Sequence, residues 1–270
     1  MSHNMKEVYM KRVEKNEKLN TTLKSFLFLI FGVILMALCC MNTITPRAAT
    51  VDDRIDHFIY QDPKPEKVVY LTFDDGPSKY TLDILNLLEE EDVPAIFFVI
   101  GENIDLLSNA DEVLNEVLKR GHYIGLHSMT HNMDKLYNVP GAPQNFVNEM
   151  LEVKAKIKEL TGFESNLCRP PYGGKTHFKA GHYKALEEAG LECVDWNVDS
   201  LDWSKSSADA IFNQVIADLK HSNYPNEVVL LFHEKKLTLE VLPRVIEYYR
   251  NQGYVFMPYY EGEEFDCMKK

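Results

Sequence analysis

The sequence predicts an α/β domain built as a (β/α) barrel of seven parallel strands, and three observations lead there. Short β-rich runs alternate with stretches of helical spacing from Lys67 onward. Such alternation makes consecutive strands parallel, each joined to the next by a helical crossover. Gly121, Gly162, Gly190 and Gly253 each follow a helical stretch and precede a strand, where a left-handed helix end is required. The first strand runs into Asp74-Asp75-Gly76-Pro77. A doubly wound nucleotide fold usually carries a glycine-rich phosphate loop at that point, whereas paired carboxylates repel phosphate. The barrel is therefore preferred, and no nucleotide cofactor is expected.

In chain order, the strands are read at Val68 to Phe73, Ala95 to Ile100, His122 to His127, Asn166 to Arg169, Cys193 to Val198, Val228 to Phe232 and Tyr254 to Met257. Among the intervening helices the clearest has Phe146, Met150, Val153, Ile157 and Leu160 at steps of four, three, four and three, which is one helix face.

The 270-residue chain is 45% hydrophobic, enough for a sizeable core. Residues 1–24 form a basic tail with six Lys/Arg against three acids, and the remainder has a formal balance of −15. That surface argues against nucleic acid as a partner. Residues 25–46 carry no charge, and their dense apolar part, Phe26 to Met41, would span ~24 Å as a helix. The reading is a membrane anchor with the basic tail inside and the domain outside, or alternatively a cleaved signal segment. Residues 47–66 are polar, with Pro63 and Pro65, and read as a linker to the domain at 67–270. Cys39, Cys40, Cys168, Cys193 and Cys267 include no CxxC pair, so the thiols are expected to pack as small apolar groups.

The unusual residues fall at the C-terminal ends of the predicted strands, where (β/α) barrels carry their reactive groups. Asp74 and Asp75 end the first strand, "HSMTH" (127–131) the third, and "RPPYG" (169–173) the fourth. "DSLDW" (199–203) follows the fifth, and "LFHE" (231–234) ends the sixth. One carboxylate and two imidazoles form a common ligand set for a hydrolytic divalent ion. Asp75, His127 and His131 are the candidate ligands, which leaves Asp74 free to take a proton from water. A magnesium-type ion is disfavoured because it prefers oxygen. Arg169 could hold Asp74 ionised, His233 could protonate a leaving amine, and Asp202 could orient that imidazole. Tyr172, Trp203 and Leu231 offer apolar and aromatic surface for a small acyl group or a sugar face.

With these motifs in order, together with "AIFFVIG" (95–101) and "GHYIGLHS" (121–128), the chain resembles the NodB-homology polysaccharide deacetylases, carbohydrate esterase family 4, over about residues 66–260. The resemblance implies a distorted (β/α) barrel that removes N-acetyl or O-acetyl groups from polymers such as peptidoglycan, chitin or xylan. It implies Asp74 as base, His233 as acid, and Asp75, His127 and His131 as ligands of zinc, or of cobalt, nickel or manganese in its place. Arg169 would assist the base and Asp202 the acid. Tyr172 would offer its backbone N–H to an oxyanion, and Trp203 and Leu231 would line an acetate pocket. Leu126 stands where asparagine is frequent and Glu234 where aspartate is common, which bears on substrate contacts. An outward-facing domain tethered to a membrane would meet peptidoglycan first, so the resemblance implies deacetylation of N-acetylglucosamine in cell-wall glycan. Asp75 argues against a related branch that acts on muramic-acid residues and typically has asparagine there. Chitin-type or other exopolysaccharides and O-acetyl xylan are the alternatives, and a glycan-binding wall protein that has lost the reaction is the non-enzymatic one.

Overall fold

The computed structural model describes residues 63–265. The basic tail, the apolar segment 25–46 and the linker as far as residue 62 lie outside the described residues. Among the described residues no helix is long and apolar enough to cross a membrane.

Strand β1 (Val68–Gly76) leads through α1 (Thr81–Glu90) to β2 (Ala95–Val99), and α2 (Gly101–Leu106) and α3 (Ala110–Lys119) lead to β3 (Tyr123–Leu126). Next come α4 (Met133–Tyr137), α5 (Ala142–Thr161), β4 (Leu167–Cys168), α6 (Gly174–His177), α7 (Ala180–Glu188) and β5 (Glu192–Cys193). The chain closes with β6 (Val198–Asp199), α8 (Ala208–His221), β7 (Glu227–His233), α9 (Lys236–Asn251) and β8 (Val255–Phe256). Every strand pairing is parallel, in the order β5-β4-β3-β2-β1-β7-β6, with β8 beside the start of β1.

The expected distorted barrel of seven parallel strands is found as a curled parallel sheet, and the predicted fifth strand is two pieces that divide between its edges. Glu192–Cys193 pairs with β4 at one edge and Val198–Asp199 with β7 at the other. Val194 N still bonds Cys168 O (3.0 Å) on the β4 side, and Asn197 N bonds Val229 O (3.2 Å) on the β7 side. The chain therefore crosses between the two edges at Asp195-Trp196, where polar side chains find other partners. The Asp195 carboxylate accepts hydrogen bonds from the backbone N–H groups of Gly174 (2.9 Å) and Lys175 (3.0 Å). The Asn197 amide takes over part of the pairing with β7, accepting from Val229 N (2.8 Å) and donating to Glu227 O (2.9 Å).

Helices cover the outer face of the sheet. On α5 the predicted stripe is the buried one: Phe146, Met150, Val153 and Ile157 join the core, with Leu160 partly buried beside it. Each such side chain contributes ~1.5–3 kcal/mol of burial. The helix ends at Gly162, whose φ of 75° turns the chain back so that its N–H bonds Lys158 O at 2.8 Å. Only a residue without Cβ adopts that conformation freely. Strand β1 is buried along almost its whole length and pairs with β7 from Val68 to Asp74, so it forms the centre from which the site is built.

Candidate active site

The adjacent carboxylates sit in a bulge. Strands β1 and β2 pair at Phe73 with Phe97 and next at Gly76 with Val99, so β1 accommodates one extra residue at Asp74-Asp75. Asp75 takes a left-handed backbone, with φ of 65°. The regular alternation of side chains is broken there, so that Asp74 reaches Arg169 while both acids approach His127 Nε2, Asp74 Oδ2 at 3.7 Å and Asp75 Oδ1 at 3.5 Å.

Asp74 faces a fully buried guanidinium. Arg169 Nη1 donates to Asp74 Oδ1 (2.9 Å) and to Thr72 Oγ1 (2.7 Å), while Nε and Nη2 donate to Val194 O (3.4 Å) and Asp195 O (3.2 Å). The guanidinium also lies over the Phe98 ring, 4.2 Å from its centroid. Burial is the leading influence on Asp74 and lifts its pKa above the usual carboxylate value, with the Arg169 charge opposing it.

Asp75 lies among imidazoles. Its Oδ1 lies 3.5 Å from His127 Nε2 and 3.5 Å from His131 Nε2, and it receives no hydrogen bond. His127 Nδ1 is 2.9 Å from Arg169 O; a carbonyl only accepts, so Nδ1 carries the proton and Nε2 presents a lone pair. Burial, foremost, drives the His127 pKa down to about 3, which keeps that ring neutral. One donor atom from each of Asp75, His127 and His131 lies within 4.8 Å of the other two. Ligands ~2.1 Å from a tetrahedral ion are ~3.4 Å apart, so the two measured Asp75 separations suit a zinc-class ion. The unbonded Asp75 oxygen and the neutral His127 ring are the states such an ion requires.

The loop carrying the imidazoles is tied down. Ser128 Oγ accepts from His131 N (2.9 Å), and Glu149 of α5 accepts from Thr130 N (3.0 Å) and Thr130 Oγ1 (2.9 Å). Tyr172 donates its hydroxyl to His131 O (2.9 Å), and the two rings are 4.5 Å apart. Ser128, His131, Tyr172 and Leu201 have φ of 67°, 52°, 63° and 50°. Together with Asp75, five left-handed non-glycine residues therefore lie in these loops. Backbone strain of this kind, ~1–3 kcal/mol each, clusters where function fixes geometry.

Across the bulge, Asp74 and His233 are register partners on β1 and β7. His233 Nδ1 is 2.7 Å from Asp202 Oδ1, and Asp202 Oδ2 accepts from His233 N (2.8 Å) and Thr238 Oγ1 (2.6 Å). Burial disfavours the charged ring, but the Asp202 hydrogen bond and the charges of Asp202, Asp74 and Asp75 outweigh it and raise the His233 pKa to about 8. Leu231 is buried in β7, while Tyr172 and Trp203 are 46% and 61% exposed. The structure thus brings Asp74, Asp75, His127, His131, Arg169, Asp202 and His233 together, with Tyr172 against His131.

Three features were not legible beforehand. Thr72 is part of the arginine cradle; its place two residues before Asp74, on the same side of an extended strand, was the available signal. The carbonyls of Val194 and Asp195 had none, since backbone groups carry no sequence mark. Glu234, expected to bear on substrate contacts, is buried. Its carboxylate accepts from Ser78 N (2.9 Å) and Thr81 Oγ1 (2.5 Å), which fixes the turn after Asp75.

Residues 61–194 match the family described as polysaccharide deacetylase. The chain is 37% identical over 205 residues to a peptidoglycan-N-acetylglucosamine deacetylase of Bacillus cereus, spanning 75% of this chain and 72% of that one. The fold is similar to the crystal structure of a polysaccharide deacetylase from Bacillus cereus, with TM-score 0.66, 36% identity, and 73% and 94% of the two chains covered. It is also similar to a CE4 esterase of Streptococcus mutans, with TM-score 0.68, 28% identity, and 76% and 94% covered.

Proposed function

Because the chain belongs to the polysaccharide deacetylase family (NodB homology, carbohydrate esterase family 4), we propose that it removes N-acetyl groups from N-acetylglucosamine residues of peptidoglycan. One observation carries this reading. A carboxylate held by a buried arginine and an imidazole held by a buried aspartate are register partners beside three ligand-type donors. Two proton-handling groups of opposite task beside a cation site are what amide hydrolysis requires.

In this reading Asp75, His127 and His131 hold one divalent transition metal, zinc foremost. When bound, the ion supplies Lewis acidity that acidifies water and polarises the acetamide carbonyl. Asp74 takes the water proton, and Arg169 keeps its carboxylate aimed. His233, protonated at neutral pH, delivers a proton to the departing amine nitrogen, and Asp202 and Thr238 hold the ring in place. Tyr172 offers its backbone N–H to the developing oxyanion, and Trp203 and Leu231 border the acetyl group. The basic tail and apolar segment favour a domain held outside the membrane, next to that polymer.

The acid and base assignments give a signed pH dependence. Rate rises as Asp74 loses its proton and falls as His233 loses its own. Asp202→Asn removes the principal support for the charged ring, so the alkaline limb of kcat/KM is expected to move to lower pH and kcat to drop ~10-fold or more. A pH–rate profile checks this, and an alkaline limb that stays in place would detach Asp202 from the acid.

The substrate is tested by incubating the protein with purified peptidoglycan and with chitin oligomers, then identifying the product sugars by mass. Glucosamine appearing in muropeptides supports the proposal. Deacetylation of chitin oligomers alone would move the substrate to another glycan, and no acetate from either would remove the hydrolytic reading.

A further inference from the structure

We propose that Cys168 and Cys193 form a reversible disulfide that cross-braces the backbone holding Arg169. The two residues are register partners on the parallel strands β4 and β5. Register partners stand on the same side of a sheet, with strands ~4.8 Å apart. Disulfides take Cα separations of ~4.4–6.8 Å, so this pair needs little movement to close. The Cys193 thiol is pushed above its ordinary pKa, first by the neighbouring Cys168 thiol and then by burial, in keeping with the register pairing. Among the described residues these are the two cysteines, and both are free thiols.

Two features make the pair responsive. Strand β5 is a two-residue edge at one end of the sheet, so Cys193 can shift toward β4 without breaking a second ladder. Cys193 also lines a cavity of about 620 Å³ on the helix-covered side, together with Phe178, Tyr183, Leu186 and Leu191. A small oxidant reaches Cys193 through it, whereas Cys168 is fully enclosed.

The brace has a definite object. Arg169 follows Cys168, and the carbonyls that hold its Nε and Nη2 belong to Val194 and Asp195, which follow Cys193. A covalent link between the two cysteines therefore ties together the two segments that form the guanidinium cradle. The oxidant is a low-molecular-weight disulfide. The Cys193 thiolate attacks it, forming a mixed disulfide and releasing one thiol. The Cys168 thiolate then attacks the Cys193 sulfur, and the second thiol leaves. Each released thiol carries one of the two cysteine protons, and the external disulfide has been reduced. The raised thiol pKa makes the exchange slow, so equilibration is allowed to run to completion.

The test equilibrates the full chain in a graded series of reduced and oxidised glutathione, blocks remaining thiols, and digests with trypsin without reduction. The expected product is peptide 159–175 joined to peptide 185–205, rising with oxidised glutathione and reversed by dithiothreitol. The oxidised protein should also have a higher Tm than the reduced one, a difference lost in Cys193→Ser. With Cys168→Ser, Cys193 should stop at the glutathione adduct. The proposal is overturned if wild-type Cys193 stops at that adduct, if both thiols stay alkylatable throughout, or if either prefers Cys39, Cys40 or Cys267. None of these readouts depends on the glycan that the enzyme acts on.

Discussion

Asp74→Asn is expected to cut acetate release ~10³-fold or more while the protein still binds one metal ion. The substitution keeps the shape of the side chain and removes its ability to take a proton. Folding should survive it, although a buried ion pair is lost. Breaking such a pair commonly costs ~3–5 kcal/mol because the remaining charge is stranded. Here Arg169 keeps Thr72 Oγ1, two backbone carbonyls, the Phe98 face and the amide oxygen of the new side chain. Burial also opposes ionisation of Asp74 itself, so part of the lost attraction is offset. Acetate assay and metal analysis on the same sample decide the matter. Loss of the metal with Asp74→Asn would mean that the two adjacent aspartates have exchanged tasks.

Stripping the metal with a chelator is expected to reduce turnover to background, with zinc restoring wild-type protein and failing to restore His131→Ala. His131 suits this test because its side chain is partly exposed and its ring is not needed by the core. His127→Ala is the less discriminating variant, since it also removes the bond from Nδ1 to Arg169 O and opens a buried space. The metal-free protein carries a further signature. The folded His127 pKa of about 3 lies below its ordinary value, so the unfolded chain binds a proton that the native state refuses. Stability of the apo form should therefore fall as pH drops from ~6.5 toward 3. Asp74, Asp199 and Glu234, whose pKa values are raised by burial, act in the opposite direction. The His127 contribution is therefore read from chemical denaturation of the wild type against His127→Gln, and the same pH slope in both would contradict the burial of a neutral ring.

Most of the candidate site was legible because it is built from side chains whose types are costly to bury and which recur at strand ends. Asp74, Asp75, His127, His131, Arg169, Asp202 and His233 all announce themselves in this way. The helix on α5 was legible for a related reason, since its apolar period has no competing explanation. The fifth strand was misread because "CVDWNV" satisfies β composition, while the outcome depends on where the Asp195 and Asn197 side chains find partners. Those partners are distant in sequence, and a local pattern does not contain them. Glu234 was legible only as a departure from the family's usual aspartate; its partners Ser78 and Thr81 are likewise distant in sequence.

The backbone at Asp75 also limits what can replace it. Among residues with a Cβ, aspartate and asparagine enter the left-handed region most readily, and glycine enters it freely. At φ of 65°, alanine or glutamate would strain the turn. Asparagine alone retains both the conformation and the outline of the side chain, and it discards one unit of negative charge. Substitution at this position thus has one inexpensive direction, which keeps the form of the loop and lowers the charge it offers to a cation.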